Sequence, residues 1–191
     1  MPYLKKEKRC KMALLKIVEI PDPLLKRKSE PVKEITPEIK TLLQDMLETM
    51  YDAPGVGLAA VQVGVLKRMV VIDVAGKGEE PHPYCMINPK ITDASDTFVL
   101  HEEGCLSVPD QFAEVERHEA VTVEYTDENG NPQTLYADGL LAVCVQHELD
   151  HLDGRLFIDK LSKLKRDMIR RKVEKMHRFQ ESDDEKSKGK K

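Results

Sequence analysis

Gln146-His147-Glu148-Leu149-Asp150-His151 (QHELDH) is the stretch on which the reading of this chain turns. At about 3.6 residues per helical turn, positions four apart lie some 40° from one another around the axis. The imidazoles of His147 and His151 can therefore close on one metal ion from a single helix face. Glu148 points about 100° away, within reach of a water on that ion without ligating it. Six His occur in 191 residues, and roughly one chain in fifty of this composition would hold H-E-x-x-H by accident, so the motif alone is moderate support. Its setting strengthens it. Asp138 can cap a helix over residues 139–152, and Gly154 can end it. Two stacked His on a largely apolar helix face gain nothing unless something pairs them.

A metal site needs a third protein ligand. Downstream, Glu174 and His177 sit among charges on a basic helix and read as surface. Upstream lies EEGCLSVP, residues 102–109. Its Cys105 follows a Gly and precedes the turn-making Ser107 and Pro109, so it need not belong to the core. A thiolate completes a Cys/His/His set with one position left for water, as in a catalytic site. The competing reading of such a Cys is a buried apolar filler, which is the reading for Cys85 and Cys144; Cys10 is assigned nothing. A third segment, GVGLAAVQVG at residues 55–64, has small residues that allow close backbone approach. Its Gln62 amide needs hydrogen-bond partners in an apolar stretch. It is not a dinucleotide fingerprint, since position 60 is Ala, and it lacks a phosphate-loop Lys. Alone it reads as a tight turn packed on a sheet.

Working outward, Thr36-Pro37 opens a helix whose apolar residues Ile39, Leu42, Leu43, Met46, Leu47 and Met50 recur at 3–4 spacing. Strand candidates are residues 69–74, 84–87, 97–101, 121–125 and 133–136, with Asn129-Gly130 as a hairpin signal. Ser162 can cap a third helix, with Leu164, Met168, Ile169, Val173, Met176 and Phe179 on one side. The organisation expected is a leader at 1–11 (an alternative start, an expression remnant or a targeting segment), a domain at 12–161, a helix at 162–180 and a disordered tail at 181–191. Strands and helices do not alternate regularly, so the fold class is α+β in a single domain. The chain is 40% hydrophobic and 34% charged, which excludes both a membrane protein and a disordered acidic tail. The longest run without Asp, Glu, Lys or Arg, residues 53–66, is too short to span a bilayer. Four Cys without a secretory signal point to a reducing compartment. Residues 163–191 hold 12 basic and 6 acidic side chains, while the first 162 hold 18 and 28. A basic end on an acidic body is a candidate contact for a polyanion, against the plainer reading of a solvated helix.

Together, GVGLAAVQVG, EEGCLSVP and QHELDH, in that order, closely resemble the three signature motifs of peptide deformylases. The resemblance extends from about Met12 through the C-terminal helix. It implies a central H-E-x-x-H helix surrounded by antiparallel sheets, with an N-terminal and a C-terminal helix. It implies one divalent metal held by Cys105, His147 and His151, natively Fe(II), with Zn(II), Ni(II) or Co(II) able to take its place. The reaction implied is removal of formate from the N-formyl-methionine of nascent chains. Glu148 would move the proton, while the Gln62 amide and the Leu106 backbone N–H receive the oxyanion. Val56, Leu140, Val143 and Cys144 would line the methionine pocket, with the His147 ring as one wall. Backbone near Val56, Gly57 and Gly104 would pair with the extended peptide. Glu103 and Arg117 would form a supporting pair that holds the Cys105 turn. The basic C-terminal helix would contact the ribosome near the peptide exit. The compartment implied is the bacterial cytoplasm, with an organelle as the alternative, and no membrane partner.

Three rival readings remain at this level. A zinc endopeptidase could use the same helix but leaves Cys105 and Gln62 unexplained. A thiol hydrolase would make Cys105 the nucleophile. A ribosome-bound factor could keep the fold without the chemistry, against which stand all three ligands and Glu148.

Overall fold

The computed structural model describes residues 13–188, with side chains as far as Gln180. The expected leader at 1–11 lies outside the described residues. Three helices are present, α1 (Pro37–Asp52), α2 (Gly139–Leu152) and α3 (Lys163–Lys188). Seven strands accompany them: β1 (Gly57–Ala59), β2 (Met69–Ile72), β3 (Tyr84–Ala94), β4 (Phe98–Cys105), β5 (Val108–His118), β6 (Ala120–Thr126) and β7 (Pro132–Asp138). Five of the strands form one antiparallel sheet in the order β1-β2-β3-β6-β7, and β4 pairs with β5 in a separate hairpin. This is the α+β arrangement expected.

At β2 the larger sheet is covered on both faces. Val70 and Ile72 of β2 pack with Val145, Leu149 and Leu152 of α2. Their neighbours Met69 and Val71 face Leu43, Met46 and Met50 of α1. A strand buried on both sides can carry an unbroken apolar run, which is why residues 69–72 show no alternation. A third cluster joins Val108 and Val115 of β5 to Leu156, Phe157, Ile158 and the α3 residues Ile169 and Val173. α2 thus stands at the centre of the molecule, buried all round from Ala142 to Leu152. Its end is fixed by Gly154, at φ +73°, where a Cβ would lie 2.5 Å from the Lys26 carbonyl oxygen.

The structure departs from the sequence reading in several places. Neither Thr36 nor Asp138 makes a side-chain cap bond, although both stand at the N-cap with extended backbone. Ser162 does cap α3, accepting from Lys165 N–H at 3.4 Å. Strand β5 went unread because its inward positions Ala113, Val115 and Arg117 include a cation, which breaks the apolar alternation. Among the described side chains of α3 only Ile169 and Val173 are buried, whereas Leu164, Met168 and Phe179 are exposed. The helix lies on a narrow strip of core, so one spine of the expected apolar side makes contact. Its backbone continues to Lys188, beyond the expected end at residue 180. No Gly or Pro interrupts residues 163–188, and Gly189 is the first breaker. Among the described residues no helix is long and apolar enough to cross a membrane.

Candidate active site and metal centre

Three separate pieces of chain meet at the middle of α2. The His pair comes from the helix, Cys105 from the end of β4, and Gln62 from a short 3-10 turn (Ala60–Val63) that follows β1. An N-terminal strap ties two of them together: Val18 N–H donates to the Gln62 carbonyl at 2.7 Å and Ile20 N–H to the Ser107 carbonyl at 2.9 Å. The donor atoms of Cys105, His147 and His151 all lie within 4.8 Å of one another. Cys105 Sγ is 3.2 Å from His151 Nε2, and the two imidazole centroids are 5.0 Å apart.

Charged side chains stand behind the three candidate donors. Glu103 Oε2 accepts from His147 Nδ1 at 2.7 Å, which fixes the ring and turns its other nitrogen toward Cys105. Arg117 grips the same carboxylate with two parallel bonds of 2.6 and 2.9 Å, and donates to Asp150 Oδ2 at 2.5 Å. All three side chains are buried. Burial pushes the Glu103 carboxyl up, but bonds from Arg117 and His147 overcome it and hold the group at about 2. The sequence reading paired Glu103 with Arg117 to brace the Cys105 turn. In the structure the pair also orients His147, and Asp150 anchors it to α2.

The chemistry of the donor set fits a metal. Burial opposes a charged His147, yet hydrogen bonds to Cys105 and Glu103 raise its pKa well above the imidazole range. Burial, together with the charge on His147, pushes His151 well below that range. Such a cluster holds a proton that a divalent ion would displace. Glu148 Oε2 and His151 Nδ1 are buried without a hydrogen-bond partner among the described residues. Burial raises the Glu148 carboxyl to about 7, where a group can both take and return a proton near neutral pH.

A cavity of about 470 Å³ opens over these groups. His147, Glu148, Cys105 and Gln62 face it, together with Glu103, Gly104 and Leu106. Val143 and Cys144 form a buried apolar floor, whereas Val56 and Leu140 are partly exposed at its mouth. Burial and the neighbouring carboxylates push the Cys144 thiol up, so it stays neutral. Gly57 is required here, because a Cβ would fall 2.4 Å from Glu148 Oε1 and 2.7 Å from Cys144 Sγ. Gln62 Oε1 accepts from Ala59 N–H at 2.8 Å, and Nε2 points to Ser107 Oγ at 3.2 Å and Cys105 Sγ at 3.6 Å. Arg117 and His151 stand behind the cavity wall rather than on it.

The chain matches the polypeptide deformylase family model over residues 14–167. It is 55% identical over 164 residues to the peptide deformylase of Rhizobium meliloti (strain 1021), covering 86% of this chain and 94% of that one. The chain belongs to the polypeptide deformylase family. Deformylases are metalloenzymes, and this one is a hydrolase that removes the N-formyl group from the initiator methionine of nascent polypeptides, releasing formate. The crystal structure of the Ehrlichia chaffeensis peptide deformylase in complex with actinonin superimposes with a TM-score of 0.84 at 48% identity, covering 87% of this chain and 99% of that one. A Met-Ala-Ser-bound class I type b deformylase of Acinetobacter baumannii gives 0.74 at 34% identity, covering 78% and 99%.

Sequence reading of this deformylase missed three supporting residues. Asp150, inside QHELDH, follows His147 by three positions, and an acid there on an apolar helix was itself a signal. Gln146 exchanges hydrogen bonds with the His118 backbone, at 3.0 and 2.9 Å, and so docks α2 on β5. Ser107 was read only as a turn residue, although its hydroxyl receives the Gln62 amide. Glu174 and His177, set aside as ligands, pair instead with Arg178 and Glu19.

Proposed function

We propose that Cys105, His147 and His151 hold one divalent ion, natively Fe(II), and that Glu148, Gln62 and Leu106 perform the chemistry beside it. The observation that carries this reading is the convergence of one thiol and two imidazoles, from two distant segments, beneath a cavity that Glu148 also faces. Fe(II) follows from the family resemblance, and a thiolate with two imidazoles also accepts Zn(II), Ni(II) or Co(II). When bound, the ion supplies Lewis acidity and makes hydroxide available near neutral pH. Glu148 takes a proton from the attacking water and returns it to the departing amine. The Gln62 amide is held through its oxygen by Ala59 N–H, which leaves Nε2, beside Ser107 and Cys105, as the end that donates. With Leu106 N–H it donates to the oxyanion.

The methionine side chain of the substrate enters between Val56, Leu140, Val143 and Cys144 and lies against the His147 ring. The following residues pair with backbone at Val56, Gly57 and Gly104, as an added strand would. The Acinetobacter relative's Met-Ala-Ser begins with the residue this pocket suits. Residues 12–161 form the catalytic unit of this reading. α3 serves as a ribosome contact in the bacterial cytoplasm, supported by its exposed Lys163, Lys165, Arg171, Lys172, Lys175 and Arg178.

The test is formate release from a formyl-Met peptide by protein purified without oxygen. Chelation should abolish release and Fe(II) or Ni(II) should restore it; activity that survives full metal removal would favour Cys105 as a nucleophile. For the ribosome contact, reversing Lys165, Arg171 and Lys172 to Glu should abolish salt-sensitive co-sedimentation and spare peptide activity. Unchanged sedimentation refutes that part.

A further inference from the structure

A second cleft, of about 310 Å³, lies against a different face of α2, between Gln146, Leu149, Asp150 and Asp153 of that region and Ile91 of β3. It shares no lining residue with the catalytic cavity. Five cationic side chains surround it, from Arg68, Lys90, Arg117, Arg155 and Lys160, and only two carboxylates do. Those carboxylates are already divided. Asp150 meets Arg117 at 2.5 Å, Arg155 at 3.3 Å and Lys160 at 3.5 Å. Asp153 meets Arg68 at 2.9 Å and Arg155 at 3.4 Å. Lys90 has no ion pair among the described residues. Arg117 is balanced by Glu103 on the far side. That leaves four cations against two anions around the cleft, a surplus of two positive charges in a concave space.

We propose that this cleft binds a small phosphate-bearing anion, of the class of hydrogenphosphate or pyrophosphate. The dianionic charge of hydrogenphosphate matches the surplus, and two kinds of cation converge on it. Arg68 is turned to Asp153 and the Pro89 carbonyl through its two terminal nitrogens, whereas Arg155 has only long contacts, at 3.3 and 3.4 Å, and keeps Nη1 for a phosphate oxygen. Lys90 and Lys160 add mobile point charges at the mouth. The buried Arg117 forms the inner wall, its own charge already matched by Glu103. A divalent cation is disfavoured by the same count of charges. The inner wall is also the rear of the Arg117–Glu103–His147 chain, so the anion sits one residue removed from the pair that orients a proposed metal ligand.

The experiment is calorimetric titration of the metal-loaded enzyme with pyrophosphate and with inorganic phosphate, in a low-salt buffer free of other multivalent anions. Lys90→Glu reverses this cation without breaking an ion pair among the described residues, and it should weaken both anions at least tenfold. Lys40→Glu makes the same change of net charge on the exposed face of α1, and it should bind like the parent. Equal loss in both variants would show a bulk charge effect and overturn the site. Undiminished binding by Lys90→Glu would place the anion elsewhere, the metal included, and overturn it equally. A ten-nucleotide oligouridylate supplies the same phosphates strung on a backbone. If it displaces pyrophosphate at lower phosphate concentration than inorganic phosphate does, the cleft is an RNA contact and the small-anion assignment fails.

Discussion

Replacing Arg117 by Met tests how far the stability of this enzyme and its metal affinity depend on one buried charge. Arg117 is 2% exposed and donates to Glu103 twice and to Asp150 once. Its removal leaves two carboxylates buried with their main partner gone, a change that costs about 3–5 kcal/mol. A second route gives a similar figure. Glu103 is held at about 2 in the folded chain, from an ordinary 4.5, which corresponds to about 3 kcal/mol of linked stability. The sign follows from the depressed value: the contribution is present above about pH 4.5 and is lost as pH falls toward 2. Urea unfolding of metal-free Arg117→Met should therefore show a deficit of about 3 kcal/mol at pH 7 that shrinks at pH 4. The triple variant Glu103→Leu, Arg117→Met, Asp150→Leu replaces the buried charges by apolar groups and should regain most of that stability. It should still bind metal about 10–100-fold more weakly, because His147 Nδ1 has lost its acceptor. A deficit under about 1 kcal/mol at pH 7, the level of an exposed pair, would refute the claim that this pair is an energetically buried one. Parent-like metal affinity in the triple variant would refute the orienting role of Glu103.

Two further substitutions separate binding from chemistry. Gln62→Leu should lower turnover of a formyl-Met peptide by about 10²–10³-fold, the usual effect of losing one oxyanion donor, with metal content unchanged on elemental analysis; loss of metal would mean that Gln62 acts by holding Cys105. Gly57→Ala should keep the fold by circular dichroism but lose most activity, since the new Cβ takes the space of the Glu148 carboxylate; activity within twofold of the parent would show that Glu148 can shift without consequence.

Much of the site was legible because metal chemistry constrains both residue type and spacing. His147, Glu148 and His151 stand at helical offsets 0, 1 and 4, which physics reads directly, and Cys105 and Gln62 stood out as polar groups in apolar or glycine-rich settings. What stayed hidden was the support. Arg117 is one charge among several in DQFAEVERHEA and entered only through the family resemblance, while its bond to Asp150 had no sequence signal; the pairing of β4 with β5 turns it inward beside Glu103. The same inward charges disguised β5 itself, since a strand is recognised by apolar alternation and this one alternates Ala, Val and Arg. Gly57 showed a different limit. Its neighbours suggested close backbone approach to a ligand, yet the first group that excludes a side chain there is the enzyme's own Glu148.

The placement of these residues also explains why the buried charges are tolerable in a hydrophobic centre. Cys105 belongs to a hairpin that lies outside the five-stranded sheet, whereas His147 and His151 belong to the helix packed on that sheet. Apolar burial is non-directional and would let the hairpin slide on α2 by fractions of an ångström. Hydrogen bonds of fixed length do not. Arg117 joins Glu103 of the hairpin to Asp150 of the helix, Gln146 pins the helix to the His118 backbone, and Glu103 reaches across to His147. Each of these bonds crosses the seam at which three ligand atoms must meet. A buried ion pair is a poor way to gain stability but an effective way to fix the register of two surfaces, and at this seam register is what a metal site requires.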